Sequence, residues 1–301
     1  MRALLNLYSR FPEARTAAER SLLLLPPQAR QFGPYFTALI ENDDPFLRMF
    51  GLSGAFHLRF EPALPAIRKI AGAPFAHPRP TLDLLPVQVN AWQGQYAALR
   101  VLALWEGKSA LPLLLKKAGE APPVAALVAE HFWEESFDRL VSWSKSAGKK
   151  EAEMASIAWA ADVPAEALRK TWPKLRLLVL DRSMPIELRH RAALKLGPAS
   201  GDPEVIDLLK EREARRKDEQ TRLLLDAALF ASRNPRAAPL LEEYVKTAPS
   251  PVGRAGALVQ LKDVAEPQRY AEVLRWAAQN DPDPENRASA QRELSQAPKK
   301  R

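Results

Sequence analysis

Pro185-Ile186-Glu187-Leu188-Arg189-His190-Arg191-Ala192-Ala193-Leu194-Lys195-Leu196-Gly197-Pro198, with Asp202-Pro203-Glu204-Val205-Ile206-Asp207-Leu208-Leu209 soon after it, is the stretch on which the fold turns. Arg189, Ala192, Ala193 and Leu196 share the spacing of one helix face. Pro185 stands where a first-turn proline is tolerated, and Gly197-Pro198 reads as the stop. Asp202-Pro203 then opens a second helix that carries Val205, Ile206, Leu208 and Leu209, so the stretch is predicted to be one helical hairpin.

The first helix of that hairpin recurs along the chain. An arginine, a residue three positions on that is usually small, and an apolar residue four beyond it occur at Arg15/Ala18/Leu22, Arg48/Gly51/Ala55, Arg189/Ala192/Leu196, Arg222/Leu225/Leu229, Arg254/Ala257/Leu261 and Arg287/Ala290/Leu294. Arg15 and Arg48 are 33 residues apart, and the four C-terminal arginines follow at steps of 33, 32 and 33. A period that steady marks a stack of like units, each packed on its neighbours. The expected fold is therefore all-α: an α-solenoid of about eight to nine hairpins, forming one domain over 1–301.

Helix starts recur as well. Asp44-Pro45, Ser250-Pro251 and Asp283-Pro284 each place a side-chain acceptor before a proline that gives up an amide with no helical partner. The acidic turn Asp281-Pro282-Asp283-Pro284-Glu285 is read as caps rather than as metal ligands. Helix 284–297 has Leu294 as its sole large apolar residue and is expected to be the polar cap of the array.

Between these regular ends the phrase loses its arginine. It continues as Gln95/Ala98/Leu102, Ala125/Val128/Phe132 and Ser156/Trp159/Val163, at spacings of 30 and 31, while the step from Arg48 to Gln95 widens to 47. The surplus is assigned to a Pro-rich insertion over 73–85, where Pro74, Pro78 and Pro80 forbid regular helix. Such a segment is either a linker laid over the stack or a docking loop that offers Phe75 and Leu82.

Composition sets the outer limits. The chain has 301 residues, 47% apolar and 27% charged, which is the balance of a folded protein. No apolar run nears the roughly 20 residues that span a bilayer, and no convincing signal peptide is read at the start, so cytoplasmic residence is expected. Without cysteine there is no disulfide, thiolate metal site or thiol nucleophile. The net charge of +8 is spread thinly rather than gathered in one segment.

A hairpin with Asp-Pro near its start, an arginine three residues after the proline and a small residue three later resembles a HEAT repeat, including the short bacterial variety of the phycobilisome-lyase type. Asp44-Pro45-Phe46-Leu47-Arg48 and Asp283-Pro284-Glu285-Asn286-Arg287 carry the resemblance most closely, and Pro251-Val252-Gly253-Arg254 nearly as well. The likeness departs from the pattern over 95–182 and at Pro185, four residues before Arg189. It implies a right-handed superhelix whose second helices line a concave surface, one that mostly holds other proteins and sometimes nucleic acid. It also implies that the repeating arginine binds the turns between repeats, a task that suits a planar guanidinium.

Function is looked for on the second helices. Arg68, Lys116, Lys145, Arg176, Lys210 and Arg275 fall at like positions, with Lys246 slightly displaced. They are either helix C-terminal cations that complement the macrodipole or the rungs of an electrostatic groove for an acidic protein or a phosphate backbone. Arg169, Lys170, Lys174, Arg212, Arg215 and Arg216 add charge nearby, and Trp143 and Trp172 are either core or base-stacking surfaces.

Enzymatic readings find thin support. Helical-repeat DNA glycosylases use a cleft carboxylate beside aromatics, and Trp159 with Asp162 is the nearest likeness; a bilin-lyase activity has no residues to carry it. His131, Glu135 and Asp138 lie on one helical spacing but lack the second histidine of a metal motif. The apolar N-terminal end, from Leu4 to Ile40, either folds back as a cap or docks on another protein. The expectation is a non-enzymatic scaffold or adaptor that binds a protein partner without a cofactor or metal, with a basic-groove nucleic-acid binder as the alternative.

Overall fold

Caps and prolines start the helices largely as their positions predict. Asp44 accepts the Phe46 amide at 2.8 Å, Ser250 the Gly253 amide at 3.4 Å, and Asp283 the Glu285 and Asn286 amides at 3.0 and 2.9 Å. The structure is a computed structural model that describes residues 31–81 and 85–296. Among these residues every regular element is a helix, and there is no strand.

The chain divides into two units, residues 1–163 and 164–301. The first contains α1 (Gly33–Ile40), α2 (Pro45–His57), α3 (Leu64–Gly72), α4 (Pro86–Glu106), α5 (Leu111–Glu120), α6 (Val124–Lys145) and α7 (Lys149–Ala160). The second contains α8 (Ala165–Leu180), α9 (Ile186–Ala199), α10 (Asp202–Ala214), α11 (Glu219–Ala231), α12 (Ala238–Thr247), α13 (Pro251–Val264), α14 (Pro267–Asn280) and α15 (Pro284–Gln296). Within each unit, consecutive helices pack in neighbour pairs: α1 on α2, α3 on α4 and α6 on α7, then α8 on α9, α12 on α13 and α14 on α15.

The repeated phrase is the seam of those pairs. Ala55, Leu196, Leu229 and Leu261, the apolar residues of the phrase, are fully buried, as are Ala192 and Leu225 three residues after their arginines. Gly51 shows why a small residue is wanted there: a Cβ on it would stand 2.7 Å from the Ile40 nitrogen and 2.8 Å from the Phe36 carbonyl. The backbones of α1 and α2 meet at that point, and a side chain would force them apart.

Arg48, Arg189, Arg254 and Arg287 bind the turns before their helices, whereas the buried Nε of Arg222 has no partner. Arg254 Nη1 donates to the carbonyls of Ala248 and Pro249 at 2.8 and 3.1 Å, while its Nε and Nη2 grip the Asp281 carboxylate at 3.0 and 2.9 Å. Arg287 reaches the Asp281 and Pro282 carbonyls, and Arg48 the Asn42 carbonyl, again six or five positions back. Arg189 spans a longer turn, from the Val179 carbonyl to Gln220 and Thr221 at the head of α11. Arg15 lies outside the described residues.

Several expectations are corrected. Gly197-Pro198 does not end α9, which runs to Ala199 with Pro198 in its last turn. Gly197 is a packing residue: a Cβ there would sit 2.3 Å from the Ala228 carbonyl of α11. Pro185 is the N-cap residue itself, outside the first turn. Asp202 does not cap α10, since Gly201 is the N-cap; its carboxylate instead accepts from Asn234 and Arg236 in the next hairpin. The middle phrase Ala125/Val128/Phe132 ends on a break, because Phe132 leaves helical geometry (φ −137°, ψ 36°) inside α6. Of the apolar N-terminal end, residues 1–30 lie outside the description, while Phe36 and Ile40 are fully buried in α1. The polar terminal helix is α15, with Ala290 its one buried residue.

Asp281 is 2% exposed, and although burial raises its carboxyl pKa, the Arg254 hydrogen bonds and the Asp283 amide hold it below the usual value. Asp281→Ala strands a buried guanidinium and should cost about 3 kcal/mol in guanidinium chloride unfolding of the 164–301 unit. Because the folded pKa lies below the unfolded value, the Asp281 contribution is complete above about pH 4 and is lost as pH falls further; Asp281→Asn should flatten that acid limb. Arg59 and Arg233 adopt left-handed backbone at φ 47° and 49°, so Arg59→Gly and Arg233→Gly should each raise the stability of the unit that holds it by up to about 1 kcal/mol in guanidinium chloride unfolding of the full chain.

Candidate interaction site

The insertion begins where α3 stops at Gly72, and its first residues are clamped. Gln95, which takes the arginine's place in the α4 phrase, donates through its side-chain amide to the Ala73 carbonyl. Lys117 on α5 donates to the same carbonyl at 2.5 Å and to Glu120 at 2.8 Å. Its ammonium is 1% exposed and stands 5.8 Å from the Phe75 ring centre. Burial raises the Glu120 carboxyl pKa, but the Lys117 hydrogen bond and the Phe75 amide outweigh it and leave the group below its ordinary value.

Of the two readings of the insertion, linker or docking loop, Phe75 does not fit that of an exposed docking finger. Its ring is half-buried against Trp92, 5.6 Å between centres, and Trp92 stacks on Tyr96 at 5.2 Å. Further along, Arg79 pairs with Glu153 of α7 at 3.1 Å, an exposed contact. Leu82 lies outside the described residues. Between the insertion, α2, α3 and α4 lies a cleft of about 440 Å³ lined in part by Arg48, Lys69, Phe75, His77 and Trp92.

The second-helix cations separate into two groups. Arg68 is held by Glu106 at 2.7 Å and Arg176 by Glu211 at 2.7 Å, so neither is an unopposed rung. Lys116, Lys145, Lys210 and Arg275 are exposed, and Lys210 has only Asp207 at 3.8 Å. The neighbouring cations are largely neutralised: Arg212 by buried Asp226, Arg215 by Glu211 and Arg216 by Glu213.

Both candidate stacking tryptophans are engaged. Trp143 is 7% exposed and belongs to the core, which withdraws its faces from any base. Trp172 is half-buried, donates its indole N–H to Ser200 at 2.9 Å and lies 6.0 Å from the Arg176 guanidinium. Trp159 is buried edge-on to Trp133 and bonded to Ser144, and Asp162 lies beyond the end of α7, so the two do not share a helix face. The break at Phe132 separates His131 from Glu135, which pairs with Lys108 at 2.8 Å. Burial pushes His131 down, and among the described residues no three His, Cys, Asp or Glu could hold a metal. Among them also, no helix is long and apolar enough to cross a membrane.

Sequence reading missed Lys117, Trp92 and the cleft. A signal for Lys117 existed: it falls at inward spacing with Leu114, Ala118 and Ala121, all fully buried, whereas Lys116 does not. No protein-family model, curated protein or solved structure matches this chain.

The clamp predicts its own loss. Lys117→Met keeps the side-chain volume but removes the Ala73 and Glu120 contacts, and chymotrypsin cleavage after Phe75 should accelerate several-fold while far-UV circular dichroism stays unchanged.

Proposed function

We propose that the chain is a non-enzymatic scaffold of the HEAT type, a right-handed α-solenoid that acts in the cytoplasm and holds a protein partner on its second-helix surface. The observation that carries this reading is the guanidinium bracket: Arg48, Arg189, Arg254 and Arg287 each tie a first helix to the turn before it, and Arg189 and Arg254 reach the next hairpin as well. Hairpins joined in this way hold one another in register, and their second helices remain free to present a surface. The exposed rungs Lys116, Lys145, Lys210 and Arg275 favour an acidic partner.

A nucleic-acid partner is the second reading, favoured by the same four cations. It is weakened by the carboxylates on Arg68 and Arg176, which would have to be displaced before a phosphate could be bound. Mobility-shift assays with DNA and RNA at about 50 and 200 mM salt are expected to show no retarded complex. A shift that weakens steeply with salt and disappears on joint charge reversal of Lys116, Lys145 and Arg275 would transfer the assignment to nucleic acid. For the scaffold, a photo-crosslinking residue at Lys116 or Arg275 should trap one protein in the native host, and recovery of the lone chain from both positions would defeat it.

A further inference from the structure

Arg254 gives two nitrogens to the Asp281 carboxylate at the head of the following hairpin, and Arg189 gives two to Gln220 and Thr221 at the equivalent place. Arg48 also reaches the turn before its helix, but with Nη2, on the Asn42 carbonyl six positions back, where Arg254 uses Nη1. The Arg48 Nε, however, is covered from water and has no acceptor. Where the next hairpin would supply one, the chain turns instead into the insertion, and the cleft stands beside Arg48. Trp92, also on the cleft wall, carries a second covered donor without a partner, its indole Nε1. Arg222, in the same phrase, also has a covered Nε without a partner, but Arg48 and Trp92 are two such residues lining one cleft, and a paired deficit of this kind asks for an acceptor.

We propose that this cleft binds a monocarboxylate carried on a planar apolar group. The carboxylate accepts from Arg48 Nε, as the Asp281 side chain does from Arg254 Nε, and from the Trp92 indole as well. The planar group lies against the rings of Phe75 and Trp92, whose centres are 5.6 Å apart. Lys69 contributes a second cation at the wall, while Glu41 and Asp43, exposed on the same cleft, discriminate against more highly charged anions such as phosphate. Because both nitrogens are covered, the occupant turns the Phe75 ring or the guanidinium edge aside as it enters. This inference is independent of the scaffold reading, and either can fail alone.

The test uses the full chain labelled with ¹⁵N, following the Arg48 Nε and Trp92 Nε1 proton resonances. The probes are 2-naphthoate, 2-naphthamide, inorganic phosphate, and the peptide Gly-Gly-Trp with a free or an amidated C-terminus. Saturable movement of both resonances is expected with an acid, at least tenfold weaker with its amide, and absent with phosphate. Binding of naphthoate alone assigns a free small acid as the source, and binding of the free-acid peptide assigns a chain terminus. Equal binding of acid and amide, or no movement with either acid, overturns the proposal. Arg48→Gln should abolish acid binding. Where that variant does not fold, Trp92→Phe, which keeps the ring wall and removes the N–H, should weaken acid binding several-fold, and unchanged binding there overturns the proposal equally.

Discussion

The hydrogen bonds of one guanidinium to the turn before its own helix are the contact on which the rest of the packing depends. Helix ends leave carbonyls without intrahelical partners, and a side chain from the following helix can bring the donors they lack. Arginine brings five in a rigid fork, enough to satisfy a turn and still grip the next hairpin. Arg254 does both, with two carbonyls on one side and the Asp281 carboxylate on the other. Arg189 carries both tasks as well, so each of these two arginines ties its own hairpin to the next.

Where the arginine is absent, the need for donors persists and other residues meet it. Gln95 and Lys117 converge on the Ala73 carbonyl, and Glu120 balances the buried ammonium. Their effect is to fasten the start of the insertion instead of joining hairpin to hairpin. The Phe75 ring is thereby fixed against Trp92, and a cleft remains beside Arg48. The irregular middle therefore has a bracket of its own, built from different chemistry. Its aromatic core, with Trp133 edge-on to Trp159 and Phe137, accommodates the break at Phe132.

The basic ladder shows how a linear period can mislead about charge. Arg68 and Arg176 occupy equivalent positions with Lys116 and Lys145, yet the first two meet carboxylates from neighbouring helices and the lysines remain exposed. An ion pair depends on what lies opposite, and the residue opposite is 35 or 38 positions away in the chain. Field and solubility follow from the sum of charges, whereas a binding groove follows from those left unopposed.

By itself the sequence determined the helical class, the caps at Asp44, Ser250 and Asp283, and the seam of apolar and small residues, because each depends on contacts within one or two turns or on a period short enough to count, while the turn-binding role of the arginine came from the resemblance. It misread Gly197-Pro198 as a stop and Asp202 as a cap, since a glycine demanded by a neighbouring backbone and an aspartate demanded by the next hairpin look the same in the chain as local signals. Only the tertiary structure decided that Lys117 is buried and Lys116 exposed, that Phe75 is wall and not finger, and that Trp143 is core. Only it brought Arg48 and Trp92, with an unpaired N–H each, to one cleft. Those outcomes rest on which groups from distant segments meet and which fail to meet, and a missing partner leaves no mark in a sequence.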